Sequence, residues 1–89
     1  MPVKFILYSR TYCHLCDDML IALQALQGEF SFAIEVRDVD ADPALVALYD
    51  ELVPVLIGWR NGEATRLCHY FLDEGMVRNY LSNGSATAA

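Results

Sequence analysis

Two thiols, Cys13 and Cys16, stand with two residues between them, a spacing that supports two kinds of chemistry. Such a pair can close and open a small disulfide loop, or it can supply two soft ligands to a metal ion. The flanks favour the first. Val3-Lys4-Phe5-Ile6-Leu7-Tyr8 reads as a buried strand, and Leu15, Met19, Ala22, Leu23 and Leu26 recur at helical spacing beyond the pair. Cys13 is therefore expected at a helix N-terminus, where free backbone N–H groups and the helix dipole stabilise thiolate, the nucleophilic form. Cys16, one turn later, is expected to lie deeper and to resolve a mixed disulfide formed on Cys13.

Four neighbours bear on that chemistry. His14, as an imidazolium, would stabilise the thiolate and make the pair more oxidising; the alternative is an exposed histidine of little influence. Tyr12 either shields the thiol and helps form a docking surface or is a rim aromatic. Arg10 either brings positive charge to the thiolate or the carboxylate of a thiol substrate, or is a solvated loop arginine. Pro54 interrupts the apolar run Val53-Pro54-Val55-Leu56-Ile57. A proline there forfeits a ladder hydrogen bond, and one local reason is a cis bond that turns the preceding backbone towards the thiols; trans at a strand start is the ordinary alternative.

The elements that must position these residues follow in the order βαβαββα. A first strand covers residues 3 to 8, and a helix runs from about Cys13 to Gln27, ending at Gly28 in a left-handed C-terminal turn. Phe32 to Val39 alternates as a strand with one face partly solvated. Asp42-Pro43 opens a second helix to about Glu51, with Leu45, Leu48, Tyr49 and Leu52 inward. Arg60-Asn61-Gly62-Glu63 is a hairpin turn between the proline-bearing strand and Ala64 to Leu67. Asp73-Glu74 starts a last helix whose apolar face is Met76, Val77, Tyr80 and Leu81. The pattern predicts an α/β domain over residues 1–81, a mixed four-stranded sheet flanked by three helices, and a disordered tail over residues 82–89.

Composition bounds the function. Eighty-nine residues with 55% hydrophobic and 20% charged content suit one folded domain. A net charge of −6 with scattered basic residues argues against nucleic acid as a partner. No apolar segment is long enough to cross a bilayer and no secretory signal opens the chain, so a cytoplasmic protein without a membrane partner is expected. Three cysteines do not suggest a secreted disulfide framework, and Cys68 is expected to be a small buried hydrophobe.

Leu7-Tyr8-Ser9-Arg10 leading into Tyr12-Cys13-His14-Leu15-Cys16, followed by Val53-Pro54-Val55, resembles the glutaredoxin branch of the thioredoxin fold over about residues 3 to 81. The resemblance implies that Cys13 is the nucleophile, Cys16 the resolving thiol and Pro54 the cis-proline beside them. It also implies a peptide or glutathione strand bound against the backbone of Val53. The activity implied is thiol-disulfide exchange with a disulfide-containing protein or a small thiol, by a monomer that needs no cofactor beyond its own disulfide. Two departures are plain. The family's usual Cys-Pro-Tyr-Cys is here Cys13-His14-Leu15-Cys16, and the Gly-Gly pair that meets a glutathione carboxylate is replaced by Leu67-Cys68-His69-Tyr70 and then Asp73. Glutathione, a possible co-substrate, is accordingly not expected to be the preferred one.

Two other readings compete. Cys13, Cys16, Cys68 and His69 form a ligand set that zinc accepts, although adjacent strand residues Cys68 and His69 would point apart. A thioredoxin-like interaction module with a vestigial dithiol could instead dock partners through Tyr12, Trp59, Tyr70 and Phe71.

Overall fold

In the computed structural model, which describes residues 3–87 and side chains as far as residue 82, four strands form one mixed sheet in the order β2-β1-β3-β4. The strands are β1 (Val3–Ser9), β2 (Phe32–Asp38), β3 (Val55–Arg60) and β4 (Glu63–His69); the helices are α1 (His14–Ala25), α2 (Pro43–Tyr49) and α3 (Glu74–Thr87). β1 runs parallel to β2 and antiparallel to β3, and β3 and β4 make an antiparallel hairpin. This is the expected thioredoxin-like architecture.

Alternation along the strands assigns the two faces. Val3, Phe5 and Leu7 of β1, Leu56 of β3 and Leu67 of β4 bury against Met19, Leu23 and Leu26 and against Val77 and Leu81 of α3. Ile6, Tyr8, Val55 and Ile57 point the other way, towards Leu45 and Tyr49 of α2. Tyr8 and Tyr49 stack there with ring centroids 4.8 Å apart. On the first face Gly58 is required by a close approach: a Cβ at that position would lie 2.6 Å from Cζ of Tyr80. The Tyr80 ring is held in place by the Arg60 guanidinium, 4.3 Å from its centroid, which also donates to the Tyr80 carbonyl.

Local signals act largely as the sequence suggests. Asp42 caps α2 by accepting the Ala44 N–H, and Pro43 takes the first turn. Asn61 and Gly62 both adopt positive φ, 55° and 79°, as a tight hairpin turn requires. Other expectations are corrected. Gly28 is not left-handed; α1 tightens into a 3₁₀ turn over Leu26–Gly28, whose short-range bonds satisfy the last carbonyls instead. Leu48 is 63% exposed and Met76 is also exposed, because each helix offers the sheet a narrower stripe than its hydrophobic residues would fill. Val39 leaves β2 for a 3₁₀ turn and is fully buried beneath α2. The backbone of α3 continues to Thr87, into the segment expected to be disordered.

Candidate active site at the dithiol

The dithiol sits where β1 hands over to α1. Tyr12 takes a left-handed conformation, φ 61°, which reverses the chain and delivers Cys13 to the N-cap of α1. Cys13 Sγ accepts the Cys16 N–H at 3.1 Å, so the sulfur occupies the position a capping oxygen would take. The two cysteines are joined by a disulfide, with Cα atoms 5.2 Å apart. They are not equivalent. Cys13 is half-buried, while Cys16 is only 3% exposed beneath the first turn.

Val53 and Pro54 lie at the same end of the sheet, immediately before β3, and the bond between them is cis. Pro54 therefore precedes the strand and does not interrupt it. The Val53 N–H donates to the Tyr49 carbonyl at 3.1 Å, which leaves its C=O as the group open to an added strand among the described residues. Two aromatic rings are exposed at this end of the sheet. Tyr12 is 101% exposed and Phe71 69%, and both follow strand ends on that side of the sheet. His14 is exposed at the first turn of α1 with no side-chain partner among the described residues.

Arg10 is placed differently from either expectation. Its Nε and Nη2 donate to the Asp40 carboxylate at 3.2 and 2.9 Å, and Nη2 also donates to Asp50 Oδ1 at 2.8 Å. Hydrogen bonds donated to the two carboxylates, Asp40 first, raise the guanidinium's pKa above its ordinary value. Arg10 thus fastens the end of β1 to the segments that follow β2 and α2, with its charge already matched. Across the sheet, Tyr70 (φ 65°) donates its N–H to the Pro54 carbonyl at 2.9 Å and its hydroxyl to the Glu51 carbonyl at 2.6 Å. The loop from Asp50 to Pro54 is held from both sides. No sequence signal pairs Arg10 with acids 30 and 40 residues away, nor Tyr70 with the proline loop.

Cys68 and His69 pair with Leu56 and Val55 on opposite faces of the sheet, so they point apart as a strand demands. Among the described residues no group of three or more His, Cys, Asp and Glu side chains is gathered as a metal site. Trp59 pairs with Lys4, the second residue of β1, which separates it from Tyr12, Tyr70 and Phe71 at the opposite sheet end. Cys68 is half-buried against the α1/α3 core, less enclosed than expected. Burial pushes its thiol above the ordinary 9.0, only partly offset by the Asp73 N–H. The folded protein therefore retains the Cys68 proton above pH 9 where the unfolded chain sheds it. That contribution to stability is complete below about pH 9 and is lost as pH rises through the folded value. Alkylation of Cys68 at pH 8 is expected to be several-fold slower in the native than in the denatured protein; equal rates would contradict this environment.

The comparisons with known proteins agree with this geometry. The family model of the glutaredoxin-like domain (DUF836) matches residues 4–82. The solution structure of protein Ne2328 from Nitrosomonas europaea is similar at 41% identity and a TM-score of 0.81, covering 91% of this chain and 93% of that one. Protein XcR50 from X. campestris is 30% identical with a TM-score of 0.63, covering 89% and 96%. Thioredoxin from Fasciola hepatica shares the fold at 18% identity and a TM-score of 0.68, covering 92% and 80%. No curated protein matches the chain.

Proposed function

Because the chain belongs to the glutaredoxin-like domain family, and carries its cysteine pair at disulfide distance, we propose that it is a thiol-disulfide oxidoreductase acting on protein disulfides, with Cys13 as nucleophile. The observation that carries the reading is the asymmetry of the pair: a half-buried Cys13 at a helix N-cap, and a buried Cys16 a turn below.

The reduced dithiol acts in two displacements. Cys13 thiolate, favoured by the Cys16 N–H and the dipole of α1, attacks one sulfur of a substrate disulfide; the other substrate sulfur leaves as thiolate and takes up a proton. Cys16, too buried to meet a bulky partner first, then loses its proton and attacks Cys13 Sγ. The Cys13–Cys16 disulfide forms and the second substrate thiol is released. One substrate disulfide is reduced to two thiols as the protein dithiol is oxidised, and the reverse sequence oxidises a partner. The Val53 carbonyl and the exposed rings of Tyr12 and Phe71 suit an extended protein segment lying across the thiols.

Asp73 disfavours glutathione. Its Oδ1 accepts the Met76 N–H at 3.0 Å, and Glu74 adds a second carboxylate to the first turn of α3. The helix N-terminus that would receive a glutathione carboxylate is thus already capped by negative charge.

The reading is tested by counting free thiols before and after mild oxidation, together with metal content and turnover on a protein disulfide and on glutathione. Two thiols are expected to disappear reversibly, with turnover on the protein disulfide well above that on glutathione. Stoichiometric zinc with three unreactive thiols would sink the redox reading, and robust glutathione turnover would overturn the substrate class.

A further inference from the structure

The face of the sheet that carries α2 is only half covered. A seven-residue helix spans about 10 Å, whereas seven-residue strands span about 23 Å. On the opposite face, α1 and α3 are longer, with 12 and 14 residues. The uncovered half is a groove of about 490 Å³, within the range of small-molecule sites.

Strand register decides what lines it. One row reads Lys4, Trp59 and Ala64; the next reads Ile6, Ile57 and Arg66, with Glu35 of β2 paired to Ile6 at its border; beyond it Arg37 and Tyr8 adjoin the edge of α2. Lys4, Arg37 and Arg66 are three of the six basic residues in a chain of net charge −6. Glu35 pairs with Lys4 at 2.6 Å and also with Arg37, so one carboxylate faces two cations. Arg66 has no ion-pair partner among the described residues. The sole tryptophan, Trp59, is 41% exposed and lines the same groove.

We propose that this groove binds a small planar anion, an aromatic or heteroaromatic ring bearing a phosphate or carboxylate. The ring stacks on Trp59 over the apolar floor of Ile6 and Ile57, and the anionic group meets Arg66 and Lys4. A polyanion would meet the acidic surface as a whole. A compact one feels mainly charges within a Debye length of about 8 Å, and in the groove Lys4, Arg37 and Arg66 outnumber the single Glu35 carboxylate. The site lies away from the dithiol, since Lys4 of β1 and its partner Trp59 of β3 stand at the opposite end of the sheet from Ser9. It does not depend on the redox reading.

The test is titration of the full chain with 1-naphthyl phosphate, followed by amide and indole N–H chemical shifts. Saturable shifts are expected at the Trp59 indole and along the rows of Lys4 and Arg66. 1-Naphthol and inorganic phosphate are each expected to bind at least about tenfold more weakly, as loss of one charge-assisted contact or of the stacking surface requires. Arg66→Glu, an exposed substitution, is expected to weaken the phosphate ester by at least about tenfold. The thermal midpoint and thiol exchange rate should be unchanged. Equal affinity for 1-naphthol, shifts mapping elsewhere, absence of saturation, or an unaffected Arg66→Glu variant would each overturn the proposal.

Discussion

Cys13→Ser is expected to remove disulfide exchange, lowering turnover on a protein disulfide by at least about a thousandfold, the scale on which loss of a covalent nucleophile acts. Serine retains the capping geometry, since its oxygen can accept the Cys16 N–H now received by Cys13 Sγ. The fold should therefore survive, and the loss should be chemical. Cys16→Ser separates the two roles. The half-exposed Cys13 remains able to attack, but the sulfur that resolves the mixed disulfide is gone. A covalent adduct between Cys13 and one substrate half should accumulate, visible by mass and released by dithiothreitol. Trapping on Cys16 in a Cys13→Ser variant, with none on Cys13 in the converse variant, would reverse the assignment. Unimpaired turnover in Cys13→Ser would remove the proposed mechanism altogether.

Phe5→Ala is expected to cost about 3–5 kcal/mol of stability, a large part of the roughly 4–13 kcal/mol available to a domain of this length. Phe5 is fully buried on the central strand β1, edge-on to Phe32 at 4.9 Å and tilted against Tyr80 at 5.9 Å. The neighbours are poorly placed to fill the space. Phe32 belongs to a paired strand, and Tyr80 is held between Gly58 and the Arg60 guanidinium. The cavity should thus persist, placing the cost towards the upper end of the range and lowering the thermal midpoint by more than about 10 °C. Thermal and denaturant unfolding of the oxidised protein measure this. A loss below about 1 kcal/mol would mean that Tyr80 or α3 can collapse onto the vacancy.

The ease of reading each part followed the range of the interaction. The apolar run from Val3 to Tyr8, the Asp42-Pro43 helix start and the Asn61-Gly62 turn act within a few residues, and the structure contains the strand, the helix and the turn. The N-terminal placement of Cys13 is equally local, because a strand end and a helix start fix it. Leu48 and Met76 were misplaced for the opposite reason. Helical spacing marks which residues share a face, but the width of contact depends on a sheet formed by distant segments. The same holds for Arg10, whose nearby sequence contains no hint of Asp40 or Asp50 as partners.

The sequence by itself determined the order of elements, the family resemblance and the pair of sulfurs able to do chemistry, since these rest on residue type and short-range spacing. Tertiary structure alone decided the company those sulfurs keep. It straps the proline loop between Arg10 and Tyr70. It also brings Lys4, Trp59 and Arg66 together beneath a helix too short to cover them. The physical reason is common to both. Pairing across a sheet joins residues tens of positions apart, and only the register of the strands says which side chains meet.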